Sequence, residues 1–210
     1  MDVSRQQHAE EAQRGPRART RRLMLETATR LMQDGKTPSV SEVAEAAEVS
    51  RATAYRYFPS QAALVHAVVD EALGPILTWS SASSDAGERV EDLFRSSMPR
   101  IGEFEATFRA ALKLSLEQAA QGDGGAEPEP RFTRGHRVDL LRDALRPLRG
   151  AMPPKQVDRL AQALSLLFGV EALIVLKDIW GMDERQAYSV AEWAALSLVQ
   201  AATAGGQGSV

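Results

Sequence analysis

Arg51, Thr53, Tyr55, Arg56 and Tyr57 crowd into seven consecutive positions, and their tips are of the kind that read or grip nucleic acid. An arginine fork can engage both acceptors on the major-groove edge of guanine, while threonine and tyrosine hydroxyls donate to phosphate oxygens. Reaction chemistry has no comparable grouping. The three histidines, His8, His66 and His136, are far apart and lack the His-x-x-x-His or Glu-His pairing that suggests a metal. With no cysteine in the chain, thiol catalysis, thiolate metal sites and disulfides are excluded. No phosphate-loop or dinucleotide glycine pattern occurs. No catalytic residue, metal or cofactor is therefore expected.

Two short helices and a tight turn are needed to present those tips, and residues 39–61 carry the signals for both. Ser39 and Glu42 have the spacing of a capping box. Val40, Val43, Ala44 and Ala47 follow as the apolar face of a first helix. Ala47-Glu48-Val49 is the turn. Ser50 is a second good N-cap, opening a helix from Arg51 to Tyr57 before Pro59 interrupts. In that helix Ala54 and Phe58 are left to pack while the polar and aromatic residues face outward. This is the shape of a DNA-reading helix-turn-helix. From spacing alone, a helical hairpin of any α-protein, with a merely solvated Arg and Tyr face, fits equally well.

The segment Ala47-Glu48-Val49-Ser50, then Arg51-Ala52-Thr53-Ala54, then Tyr55-Arg56-Tyr57-Phe58 resembles the TetR family of transcriptional regulators. That family runs alanine-glycine-valine-serine, three or four residues, then tyrosine-x-tyrosine-phenylalanine. The likeness extends from Thr20 to about Leu73. Two positions depart from it. Glu48 stands where the family has glycine, so the turn must be helical or hold a non-glycine residue at positive φ. Gln61 stands where the family has a phosphate-gripping lysine, although the helix start capped by Ser60 can still present backbone amides. The resemblance implies a protein that binds double-stranded operator DNA. Arg51 and Thr53 then face base edges, and Tyr55, Tyr57, Ser39 and Ser50 grip phosphate. Ala52, Arg56 and Gln61 complete the surface, with Arg17 and Arg19 beside it.

An acidic chain suits that role only if its charge is divided. Over the whole chain the formal charge is −3, yet residues 1–60 hold ten Lys or Arg against eight Asp or Glu. Residues 61–210 hold fifteen against twenty. Residues 14–22 carry five arginines and no acid, just before the hairpin. Such a tract suits an arm that binds phosphate or enters the minor groove. Residues 1–17 are accordingly expected to be a disordered basic arm. No apolar run reaches membrane-spanning length and the N-terminus is polar, so the expected location is cytoplasmic, without a membrane partner.

Helical periodicity without strand-like alternation makes the fold class all-α. An N-terminal three-helix helix-turn-helix domain over 18–77 is followed by a C-terminal helical domain over 78–210. The first helix begins near Thr20, with Leu23, Thr27, Ala28, Leu31 and Met32 on one face, and ends at Gly35. A helix from Gln61 to about Leu73 completes the N-terminal part, ended by Gly74-Pro75. Further helices are expected at Glu88 to Met98, Ile101 to about Gln121 and Thr133 to Leu148, with a mobile acidic loop at 122–130. The last two run from about Gln156 to Trp180 and from Glu184 to Ala204, the latter opened by an Asp183 and Gln186 capping box. These two are apolar over more than one stripe. The resemblance implies that they form a homodimer through a four-helix bundle. It also implies a small-molecule effector in a cavity of the second domain, for which Phe94, Met98, Phe104, Phe108, Leu112 and Glu171 are the candidate lining. Glu171 sits in an apolar stretch, where a carboxylate must be paired, solvated or on a cavity. A salt bridge to Arg109, Arg134 or Arg137 is the plain alternative.

Overall fold

The computed structural model describes residues 15–120 and 135–205. The expected N-terminal tract up to Arg14 and the expected acidic loop at 122–130 lie outside them. The described residues are helical, with no strand among them. They form two compact units, one from residues 15–71 and 106–120, the other from residues 72–105 and 135–205.

The first unit opens with α1 (Pro16–Gln33). Pro16 at the first helical position fixes φ and gives up an amide that has no partner there anyway. The helix thus starts before Thr20, and Arg17, expected in a disordered arm, is an exposed helical residue, as is Arg19. Its inward face is Met24, Leu25, Thr27, Ala28 and Met32, while Leu23 turns outward. Gly35, at φ 76°, reverses the chain. Next come α2 (Val40–Ala46), α3 (Arg51–Tyr57) and α4 (Gln61–Leu73). Leu64, Val65, Val68 and Val69 turn inward from α4, as their spacing requires. Most of α6 (Glu105–Ala120) also belongs here, burying Thr107, Ala110, Ala111 and Leu114.

The second unit contains α5 (Ala86–Glu103), α7 (His136–Ala144), α8 (Pro154–Ser165), α9 (Val170–Leu173) and α10 (Glu184–Gly205). Asp85 caps α5 by accepting from the Glu88 amide at 2.8 Å. This helix runs through Pro99 to Glu103, whereas a stop near Met98 was expected. Proline removes one backbone donor, and the packing of Phe94, Met98 and Ile101 on either side outweighs that loss. Along α10 the buried stripe is Ala187, Ala191, Ala195 and Val199, and the Asp183 and Gln186 capping box forms as its spacing predicts. The small alanines let α10 lie close against α5. Tyr188 of α10 brings its hydroxyl so near Gly102 that a Cβ there would stand 1.7 Å from it.

The long helix expected from Gln156 to Trp180 is broken. After Ser165 the chain turns at Gly169, whose φ of 130° an L side chain rarely adopts. It resumes as α9 and a π-helical stretch, Ile174–Ile179. Lys177 on that stretch bonds to Glu105 and lies 3.4 Å from Glu184, and the Glu105 bond is the main reason its ammonium pKa is raised. Burial, then the charge of Glu184, pushes the Tyr188 phenol above its ordinary value. No single helix among the described residues is long and apolar enough to cross a membrane.

Candidate nucleic-acid interface

The hairpin is held by local chemistry at each corner. Ser39 caps α2, its hydroxyl accepting from the Glu42 amide at 3.2 Å while the Glu42 carboxylate accepts from the Ser39 amide at 2.7 Å. The backbone bond from Ser39, then its hydroxyl, holds the Glu42 carboxyl below its ordinary pKa of 4.5. A lowered folded-state pKa means that the cap stabilises fully above about pH 4.5 and fades as the pH falls through the lower folded value. Glu42→Gln should therefore flatten the acid limb of the stability profile, as thermal melts between pH 3 and pH 6 would show.

Ser50 caps α3, accepting from the Thr53 amide at 3.3 Å and donating to the Thr53 hydroxyl at 3.0 Å. Between the caps, Glu48 occupies the left-handed region at φ 54°, so of the two conformations open to the turn it takes the strained one. Left-handed backbone costs a residue with a Cβ about 1 kcal/mol, partly offset by the entropy that glycine loses on folding. Glu48→Gly should thus leave the fold intact and raise the melting temperature slightly, which calorimetry reads directly.

Helix α3 is pinned from beneath. Ala54 and Phe58 are buried, and the Arg21 guanidinium of α1 lies 5.6 Å above the Phe58 ring. Pinning these two residues turns the rest of the short helix outward. Arg51, Ala52, Tyr55 and Arg56 are exposed, with Thr53 and Tyr57 half-buried beside them. Arg56 lies 5.5 Å over the Tyr57 ring, which restrains its direction. The Tyr55 hydroxyl is 3.3 Å from the Ser41 hydroxyl of α2, so the two helices also meet side chain to side chain. Ser39 is half-buried and Ser50 exposed. The carboxamide nitrogen of Gln61 donates to the carbonyls of Thr37 and Pro38.

Ser41 and Arg21 escape sequence reasoning. Ser41 meets a partner fourteen positions away, and no local spacing announces that contact. Arg21 was visible only as one of five arginines in the basic tract.

The residues expected to line a cavity fall differently. Phe94 and Met98 are buried in the second unit, where the Phe94 ring meets Phe168 edge-on at 5.2 Å. Phe104, half-buried, ends α5 beneath the Arg100 guanidinium at 4.8 Å. Phe108 and Leu112 belong to α6 in the first unit, both half-buried. Glu171 accepts from Arg137 through both carboxylate oxygens, at 2.8 and 2.7 Å, so one of its plain alternatives is realised. Among the described residues no His, Asp and Glu cluster could hold a metal ion.

A capped hairpin on a helical platform, showing arginine and tyrosine to solvent, defines the class of helix-turn-helix DNA-binding domains. Residues 24–68 match the family model described as bacterial regulatory proteins, tetR family, and the chain carries that family's DNA-binding domain. A TetR transcriptional regulator from Rhodococcus sp. RHA1 has a similar structure, with a TM-score of 0.56 at 18% identity. The match covers 87% of this chain and 96% of that one, so the TetR-regulator fold extends beyond the hairpin. No significant match was found among curated proteins.

Proposed function

We propose that the protein is a homodimeric, sequence-specific operator-binding regulator, a repressor released by a small molecule. The observation that carries the DNA-binding part is the outward face of α3, where Arg51, Ala52, Tyr55 and Arg56 stand exposed over a buried Ala54 and Phe58. Arg51 and Thr53 take base edges, Tyr55, Tyr57 and Ser39 take phosphate, and Ser50, whose hydroxyl donates to Thr53, positions that residue. Exposed Arg17 and Arg19 add positive charge from α1. Support for the dimer comes from the second unit, where Leu166, Ile179, Trp180 and Trp193 are each about 70% exposed or more. Large apolar side chains left in water on neighbouring elements suit a self-complementary interface. The effector reading rests on the family alone, since Phe94 and Phe168 are buried against each other. Binding would shift the protein between two arrangements only by its difference in affinity for them.

A second reading, a regulator of the same fold without an effector, is favoured by the Arg137 and Glu171 pair. That pair occupies the carboxylate otherwise free to orient a ligand. Footprinting and gel shift on the bound sequence test the DNA assignment. Arg51→Ala should lose discrimination at one base pair, worth about 1–3 kcal/mol, whereas Tyr55→Phe should weaken all sites alike. An unchanged footprint and unchanged base preference in Arg51→Ala would remove Arg51 from the base-reading role.

A further inference from the structure

We propose that Gln61 is a positioning residue that closes the DNA-reading hairpin at its base, and not one of its DNA contacts. This rests on the operator-binding reading above. Its carboxamide nitrogen donates to the Thr37 carbonyl at 2.9 Å and the Pro38 carbonyl at 3.1 Å. Both facing atoms are acceptors, so the nitrogen must be the atom that points at them, and its two protons are thereby used. What remains is the carboxamide oxygen. An acceptor cannot bond a phosphate oxygen, which is itself only an acceptor.

The placement of the two ends gives the bond its purpose. Thr37 and Pro38 lie directly before Ser39, the cap of α2, and Gln61 is the first residue of α4, after α3 has ended. Its side chain therefore joins the strand of chain entering the hairpin to the strand leaving it, across 24 positions that contain both helices and the turn. Gly35 lies just before the entering strand at φ 76°, and Glu48 holds the turn at φ 54°. Ser60, itself buried, caps α4 by accepting from the Ala63 amide at 3.1 Å, so the donor of the clamp stands on a fixed base. A clamp in this position holds α3 in one presentation before DNA arrives. Without it, part of the population is incompetent, and apparent affinity falls by that fraction.

The test uses the full chain. Gln61→Met keeps the size and removes the donors, and Gln61→Glu keeps the shape and replaces the donors with acceptors. In the free protein, both should speed hydrogen exchange of the α2 amides roughly tenfold, while the amides of α10 keep wild-type rates. Against the operator recovered by selection, Gln61→Met should weaken binding by about three- to tenfold, equally at every base position. The slope of log affinity against log salt should be unchanged. Weakened binding with α2 exchange unaltered would make Gln61 a direct contact and overturn the proposal. Faster exchange with unaltered affinity would overturn it too. If the wild-type protein enriches no sequence, the operator reading fails and takes the DNA role with it, and the exchange rates still decide whether the clamp holds the hairpin.

Discussion

Arg89→Met is expected to cost about 3 kcal/mol or more and to destabilise the second unit, because Arg89, only 1% exposed, is the donor to four backbone carbonyls and one carboxylate. Its guanidinium is satisfied on every side. Nε donates to the Ala144 carbonyl at 3.2 Å, Nη2 to the Asp143 carbonyl at 2.9 Å and its carboxylate at 2.7 Å, and Nη1 to the carbonyls of Ser81 and Ser83. The Trp79 ring lies 5.5 Å away and closes the remaining face. Two of these acceptors are carbonyls at the C-terminal end of α7, where a cation is favoured by the exposed ends of the peptide dipoles. Methionine fills the space and leaves those carbonyls without donors, at a cost of about 1–3 kcal/mol for each one that stays dry. Lysine restores charge but not the fork, so Arg89→Lys should recover only part of the loss. Asp143→Asn keeps an acceptor at a position that is more than a third exposed and should cost less than either. Urea unfolding of the four proteins, followed by the exchange of α5 and α7 amides, reads the ranking. Equal stability of Arg89→Met and the parent would refute the anchoring role of the Arg89 guanidinium.

The second large effect concerns assembly. On the dimer proposed above, Ile179→Asp combined with Trp193→Asp should give a monomer and lower affinity for a two-half-site operator by at least a hundredfold. Each substitution removes an exposed apolar group whose burial would contribute about 2–3 kcal/mol, and places a carboxylate where a partner's apolar surface would meet it. A monomer then binds half-sites one at a time and loses the effective concentration that linkage gives the second head, commonly a factor of about 10²–10⁴. Sedimentation velocity and gel shift on the same preparations test both halves. A dimer that persists in the double variant would place the interface elsewhere. Leu166, 75% exposed, is then the next position to change.

What was readable in advance was whatever is local. The hairpin announced itself because a capping box, a second serine cap and an i, i+3, i+4 stripe all fall within a few residues of one another. Glu48 could be reduced to two backbone conformations from its turn position, and the structure takes the left-handed one. The start of α10 was legible for the same reason, Asp183 and Gln186 being three apart.

Contacts made across long separations were not legible. Arg89 sits in Gly-Glu-Arg-Val-Glu-Asp, a run that reads as solvated surface, and is buried only because acceptors near residues 81 and 143 converge on it. Gly169 was one glycine inside an apolar run, where composition hides a break that only its φ of 130° reveals. Arg137 passes so close that a Cβ at Gly169 would stand 3.0 Å from its guanidinium nitrogen. Glu171 could be narrowed to a cavity or a salt bridge, yet choosing Arg137 required knowing that residues 34 positions apart are neighbours. Gln61 stands where the family has a phosphate-gripping lysine, and its bonds to the Thr37 and Pro38 carbonyls span so many positions that no local spacing announces them.

Selection from random duplex DNA by the full-length protein, with the bound sequences read out, tests the central claim most directly. Two heads related by a two-fold axis should enrich a near-palindrome whose half-sites lie about one helical turn apart. Recovery of unenriched sequence at moderate salt, or of a lone half-site with no symmetric mate, would contradict a dimer that reads DNA through α3.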